Sequence, residues 1–311
     1  MLRHIRSLWP GAGWLLPLPF ALWGASRVAI GEIRWEQLAL MTLMPALAYA
    51  NERTRRLFVA VFPLALLGLA YDAMRYVKDW GITPARLHVC DLRAIESSLF
   101  GRPDWTLHDW LQAHPVAWLD RFFAVPYGTY LFATVAFAIF LYVRAPGEAV
   151  TRFGWTFFVM SLLAFVTHHL YPAAPPWYFH AHGCNVDVSA HASEGPNLAR
   201  VDHWLGVRYF AGFYGRSTDV FGCMPSLHVT NPLLILLEGW CWLRAPGRAA
   251  AVVFAIWMSM AAVYLDHHWI IDVVAGWAYC AAVYAAVSSF VRRAVGLGSP
   301  AGVITPGVQR A

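Results

Sequence analysis

Eight apolar runs dominate this chain, near residues 13–30, 35–50, 57–77, 122–143, 153–171, 226–243, 249–265 and 269–291. A helix of about 20 apolar residues, rising roughly 1.5 Å per residue, crosses the ~30 Å of hydrocarbon in a bilayer. Lipid offers the backbone no hydrogen-bonding partners, so runs of this length fold as spanning helices that satisfy their own peptide groups. The expected fold is all-α and polytopic, with about eight transmembrane helices, of which the second is short. Only 13% of the residues are charged and 59% are hydrophobic, against roughly 25% charged in soluble domains. The chain is therefore read as an integral membrane protein.

The basic residues set an orientation. Arg53, Arg55 and Arg56, then Arg144 and Arg152, then Arg244 and Arg248, and finally Arg292 and Arg293 fall between or after the runs in alternating order. Cytoplasmic flanks carry such an excess of Arg and Lys, which places both termini inside and the long loops 78–121 and 172–225 outside. The net charge of +5 is accounted for by these clusters, and no nucleic-acid partner is expected. Met1 to Pro19 carries Arg3, His4 and Arg6 ahead of an apolar stretch but lacks a small-x-small cleavage site, so it reads as a retained first helix. Within 78–121, Leu92–Glu96 and Trp105–Trp118 have helical patterning suited to the interface. Cys90, Cys184 and Cys223 lie in the outer loops and read as free thiols; a disulfide such as Cys90–Cys184 is the alternative.

Residues 223–228 read Cys-Met-Pro-Ser-Leu-His, and residues 266–272 read Asp-His-His-Trp-Ile-Ile-Asp. Ionisable groups at the ends of apolar spans are costly and mark function. His268 and Asp272 are four apart, a spacing that shares one helical face. A carboxylate holding one ring nitrogen leaves the other free to attack phosphorus, which is triad logic with phosphorus in place of carbon. His228 follows Pro225 and Ser226, a plausible helix start whose N–H groups would bind phosphate oxygens, and is placed to handle the leaving group. A His/His/Asp metal site is the other functional reading. No further ligand cluster accompanies it, and neither a metal nor a cofactor is expected. A transporter or structural subunit would use the same span-end charges without turnover.

Pro-Ser-x-His followed by His-x-x-x-Asp resembles the second and third signatures of the type 2 phosphatidic acid phosphatase superfamily. The stretches 171–178, 198–202 and 220–228 resemble more specifically the inositol phosphorylceramide synthase family and its bacterial relatives. The resemblance runs from about residue 56 to 291 and implies a six-helix core with two extra N-terminal spans. Residues 296–311, rich in Gly and Pro, read by composition as a disordered tail, and the resemblance divides the rest into two N-terminal transmembrane helices (1–55) and a phosphatidic acid phosphatase-like catalytic membrane domain (56–295). It also implies a nucleophile at His268, its partner at Asp272 and an acid–base residue at His228. The implied reaction moves a phosphoinositol-like headgroup from a phospholipid donor to ceramide or a similar lipid alcohol through a phosphohistidine, and a phosphatase using water is the alternative. A bacterial inner membrane with a periplasm-facing site is expected, or a lumenal face in a eukaryote, with no obligate protein partner.

The resemblance is incomplete. Ala261 and Ala262 stand where the third signature usually begins Ser-Arg, and the upstream Lys-x6-Arg-Pro signature is not evident. A guanidinium matches phosphate oxygens bidentately, so Arg75, Arg200 and Arg216 are the candidates to replace the missing cation, with Asp72 holding Arg75. Ser226 and His169 are further candidates for the headgroup pocket. Trp177, in the Pro-Pro-Trp-Tyr block, is read as part of a rigid interfacial lip that could stack on a sugar or inositol ring.

Overall fold

The computed structural model describes residues 2–9, 11–78, 80–187, 189–190, 196–214 and 220–298. Arg216 and residues 299–311, most of the expected tail, lie outside the described residues. Among the described residues the chain forms fourteen α-helices and no sheet. They are α1 (Leu2–Leu8), α2 (Leu18–Ala29), α3 (Trp35–Tyr49), α4 (Glu52–Val77), α5 (Cys90–Phe100), α6 (Leu107–Ala113) and α7 (Ala117–Arg144). After these come α8 (Gly147–Leu170), α9 (Pro176–His182), α10 (Pro196–Leu205), α11 (Tyr209–Tyr214), α12 (Leu227–Trp242), α13 (Ala245–Tyr264) and α14 (Ile270–Gly298).

Five helices are long and apolar enough to cross a membrane: α4, α7, α8, α13 and α14. Together with the family assignment made below, they establish an integral membrane protein. The exact count of eight is not confirmed among the described residues. The first run is divided by Pro17 and Pro19 into a short 3₁₀ turn, Gly11–Leu15, and the 12-residue α2. The second and sixth runs form α3 and α12, of 15 and 16 residues. At about 1.5 Å per residue these reach roughly 18, 22 and 24 Å, short of the ~30 Å hydrocarbon.

Local chemistry explains the helix starts. Asn51 caps α4, its side chain accepting from the backbone N–H of Arg53 and Thr54 at 2.9 and 3.0 Å. Two-residue connections, Ala145-Pro146 and Leu243-Arg244, join α7 to α8 and α12 to α13, which makes each pair antiparallel neighbours. Their interior is filled by Leu141, Phe153, Met160 and Leu234, all fully buried. At the Arg-rich end, Arg152 on α8 pairs with the buried Glu238 on α12, which also accepts from Trp242 Nε1 at 3.0 Å.

The opposite end carries α5, α6, α9, α10 and α11. Cys90, the first residue of α5, is disulfide-bonded to Cys184 just beyond α9, so of the two sequence readings the bonded one holds. The Pro-rich block is a buried strap instead of an interfacial lip. Ala173 N–H donates to Phe221 O at 2.7 Å and Cys223 N–H returns to Ala173 O at 3.2 Å, while His88 N–H donates to Pro172 O at 2.9 Å. The strap thereby fixes the 221–223 segment on one side and the approach to α5 on the other. Trp177 is 3% exposed and Tyr178 is fully buried against Leu87 and Phe221. Neither ring is presented for stacking on a sugar, because both fill the interior beneath the strap.

Candidate active site

Three segments meet at one point: the 221–226 loop, the start of α12 and the 265–269 turn leading into α14. Gly276 makes the approach of α14 to α12 feasible. A Cβ there would lie 2.6 Å from Ser226 O and 2.8 Å from Val229 Cγ2, closer than any side chain tolerates. The contact brings Asp272 beside Ser226, whose N–H donates to Asp272 O at 3.1 Å.

His268 sits at the centre and is 4% exposed. Its Nδ1 lies 2.9 Å from Cys223 O and 3.6 Å from Asp272 Oδ2, while Nε2 lies 3.0 Å from His228 Nδ1. The carbonyl can only accept, so His268 Nδ1 carries the proton and Nε2 presents a lone pair. His228 Nδ1 then donates to it. His228 is held by stacking on Tyr127 at 4.6 Å between centroids, with Tyr130 edge-on at 5.2 Å.

Asp272 differs from the simple one-face picture. His268 precedes α14 and Asp272 lies in its first turn, where the carboxylate reaches back to accept Trp269 N–H at 2.8 Å, as an N3 acidic residue does in a capping box. The same Oδ2 accepts from the Cys223 thiol at 2.7 Å. Burial, and next the Asp272 carboxylate, push the Cys223 thiol well above its usual range, so the group remains an S–H donor. The short contact on His268 Nδ1 is therefore the Cys223 carbonyl, and the carboxylate acts from a longer distance while it organises the loop and the helix start. Asp272 Oδ1 and Ser226 Oγ are buried without a hydrogen-bond partner. Ligand atoms of Cys223, His268 and Asp272 lie within 4.8 Å of one another, but each side chain already engages a protein partner.

His267 is a different kind of group. Its Nδ1 faces Leu265 O at 2.8 Å and its ring lies against Tyr127. Burial lowers it to about 4, which keeps it neutral and structural. Ala262, at the position of the usual signature Arg, is fully buried, and its carbonyl accepts both His267 N–H and His268 N–H at 3.1 Å.

The cation candidates fall elsewhere. Arg200 is engaged by the buried Asp120, at 3.2 Å from Nε and 3.4 Å from a terminal nitrogen. Asp72 and Arg75 belong to a cluster on α2, α3 and α4: Arg34 pairs with Asp72, Gln37 Nε2 donates to it at 2.6 Å and Trp23 Nε1 at 2.9 Å, with Arg75 Nε 3.6 Å away. His169 Nε2 lies 2.6 Å from Val77 O and ties the end of α8 to that of α4, and its neighbour His168 lies 3.3 Å from Pro225 O. The structure thus gathers His228, His268, Asp272 and Ser226, and leaves Arg75, Arg200, Asp72, His169 and Trp177 in structural or separate settings.

A buried chain of charge behind the site was not foreseen. Glu96 on α5, 1% exposed, accepts Ile270 N–H at 2.9 Å and Ile271 N–H at 3.3 Å, capping α14 from another element. His108 on α6 lies 3.8 Å from Glu96 and 3.1 Å from Asp266. Asp266, held at φ 66°, also faces His180 at 2.7 Å, which reaches Asp109 at 3.1 Å, and Asp109 is gripped by Arg93 through two 2.9 Å hydrogen bonds. The turn bearing His267 and His268 is bracketed at both ends by this chain. The available signal was the acidic and imidazole residues in otherwise apolar helical stretches at 92–96 and 105–118.

An all-helical bundle with membrane-length helices and a paired-histidine centre at one end defines a polytopic membrane protein with a candidate site at that end. The model of the PAP2 superfamily matches residues 90–286, and the chain belongs to that superfamily. It is 31% identical over 251 residues to the phosphoinositol dihydroceramide synthase of Bacteroides thetaiotaomicron, an alignment covering 78% of this chain and 81% of that protein. It is 32% identical over 226 residues to the inositol phosphorylceramide synthase of Candida albicans and 28% over 225 residues to the inositol phosphorylceramide synthase catalytic subunit of Saccharomyces cerevisiae. These two alignments each cover 72% of this chain but only 46% and 54% of the fungal proteins. No solved structure matches the chain.

Proposed function

We propose that this protein is a membrane phosphotransferase that moves a phosphoinositol-like headgroup from a phospholipid to ceramide or a similar lipid alcohol. The observation that carries the reading is the 3.0 Å pairing of His268 Nε2 with His228 Nδ1, in a chain whose relatives are named for phosphoinositol transfer to ceramides. His268 Nε2 attacks phosphorus. The bond from phosphorus to the diacylglycerol oxygen breaks, and the Nδ1 proton of His228 goes to that oxygen. The acceptor hydroxyl then gives its proton to His228 and attacks, breaking the P–N bond and restoring His268. Cys223 O and Asp272 stabilise the imidazole as positive charge develops. The first N–H groups of α12, with Ser226 Oγ, are directed at the phosphate oxygens. Substrate enters by displacing the His228–His268 contact, since phosphorus must occupy that line.

Integral membrane character is established, and the side of the membrane belongs to the proposal. The disulfide at the site end supports an oxidising compartment, periplasmic in a bacterium and lumenal in a eukaryote. The roles of the N-terminal helices and the tail as separate regions are part of the same reading.

The test is purified protein in detergent with labelled phosphatidylinositol, with and without ceramide. A phosphoinositol sphingolipid formed only with ceramide supports transfer. Free inositol phosphate regardless of ceramide supports hydrolysis with water as acceptor. His268→Ala and Asp272→Asn should each lower turnover by at least about 10³-fold with expression intact, and a wild-type rate in either overturns the mechanism.

A further inference from the structure

Away from the paired histidines, α2, α3 and α4 line an open-sided cleft of about 160 Å³. It lies outside the matched region 90–286, and the proposed chemistry makes no use of it. Its upper wall is polar, with Arg34, Glu36, Asp72 and Arg75, and its lower wall is apolar, with Leu40 and Leu69. Asp72 is fully engaged by Arg34, Gln37 and Trp23. Arg75 Nε faces Asp72 at 3.6 Å, an ion pair without a hydrogen bond, and Arg75 Nε and Glu36 Oε2 are both buried without a hydrogen-bond partner. Such atoms are rare in a finished protein interior and mark places that a ligand or water completes.

The depth of the cleft is informative. Arg75 is in the last turn of α4, and His169 binds the Val77 carbonyl just beyond it. The polar wall is therefore level with the Pro-rich strap and the site end of the bundle. Gly68 and Leu69 lie about two turns deeper, roughly 10 Å toward the hydrocarbon. Nothing lies within 4 Å of the place where a Gly68 Cβ would project, so the helix surface there is open. A guanidinium and a carboxylate oxygen that line one cleft, above an open apolar wall at headgroup depth, fit a lipid headgroup. They need an anion for Arg75, a hydrogen-bond donor for Glu36 and hydrocarbon below.

We propose that this cleft is a second lipid site, which holds a phospholipid whose headgroup combines a phosphate with hydroxyl donors, as phosphatidylinositol does. The phosphate takes Arg75, a hydroxyl donates to Glu36, and an acyl chain runs over Gly68 and Leu69. A choline headgroup, which has no O–H or N–H donor, leaves Glu36 unsatisfied. The cleft is separate from the paired histidines, and the count of two below rests on the proposed function only in taking that other site to hold the first molecule.

Lipid retention measured by native mass spectrometry tests it, on full-length His268→Ala protein so that consumption does not intervene. Phosphatidylinositol and phosphatidylcholine are the probes. The expected result is two retained phosphatidylinositol molecules per chain at a concentration where phosphatidylcholine gives at most one. Gly68→Leu, which fills the cleft, and Glu36→Gln, which removes the carboxylate, should each reduce two to one, with an at least fivefold weaker second binding step and an unchanged thermal midpoint. If both variants retain two, or if the second molecule is lost equally for both lipids, the proposal is overturned. A transferase assay that fails while this loss is seen sinks the proposed function and leaves the site standing, and the converse result separates them the other way.

Discussion

At the scale of single residues, the site depends on which atoms are already occupied. His268 and His267 are adjacent and equally plausible by composition, but Leu265 O occupies one imidazole and Cys223 O orients the other toward His228. Cys223 matters twice, through its carbonyl on His268 and its thiol on Asp272. Cys223→Ala keeps the carbonyl and removes the thiol donor. A hydrogen bond to a charged group contributes about 1.5–3 kcal/mol, so kcat should fall by roughly 10- to 100-fold if Asp272 must remain ionised and fixed. Cys223→Ser, which restores a donor, should recover most of the loss. Steady-state kinetics on the two variants decide it, and equal loss in both would assign the effect to packing. The pair of histidines and the carboxylate were legible because ionisable groups at span ends stand out. The Cys223 contribution was not, because a backbone carbonyl has no sequence signature and a single cysteine reads as a thiol. The Arg200–Asp120 pair was hidden for a related reason: the two lie 80 positions apart and are invisible as partners until the fold joins them.

At the scale of elements, α5 and α6 act as a bracket for the start of α14. Long-range capping by Glu96 is hidden from sequence, since nothing local links residue 96 to residues 270 and 271. The bracket has a definite pH response. At Asp109 burial opposes ionisation, yet Arg93, the Thr106 N–H and His180 hold the carboxyl well below its usual range. Asp266 is likewise held low, against its burial, by His108 and His180. His180 is pushed above its usual value by Asp266 and Asp109, despite burial that disfavours its charge. The carboxylate contributions are complete above the ordinary Asp value of about 3.9 and are lost as pH falls through the depressed folded values. The His180 contribution is complete below about 6.5 and is lost as pH rises through its raised folded value. Thermal midpoints of wild type and His180→Gln should therefore differ most near pH 5.5 and converge toward pH 9. A gap independent of pH would show that His180 acts by shape alone.

At the scale of the whole molecule, the two ends of the bundle are chemically opposite, and that polarity implies an orientation. Arg53, Arg55 and Arg56 lie in the first turns of α4, Arg144 ends α7, Arg152 lies near the start of α8, and Arg244 joins α12 to α13. The disulfide, the strap and the paired histidines occupy the other end. The periodic apolar runs made the helical class readable. The division of the first run was less readable, because hydropathy does not register where Pro17 and Pro19 interrupt it. Positive clusters stay on the cytoplasmic side and disulfides form outside it, so both rules predict the orientation proposed above. The exposed thiol of Cys241 at the Arg-rich end is a native reporter. A membrane-impermeant maleimide applied to intact cells should leave Cys241 unlabelled until the membrane is permeabilised. In a Cys241→Ala background, Ser189→Cys, on the exposed loop beyond the disulfide, should label without permeabilisation. The opposite pattern would place the histidines in the cytoplasm, where a reducing pool would oppose the Cys90–Cys184 bond and the lipid substrates would have to come from the inner leaflet.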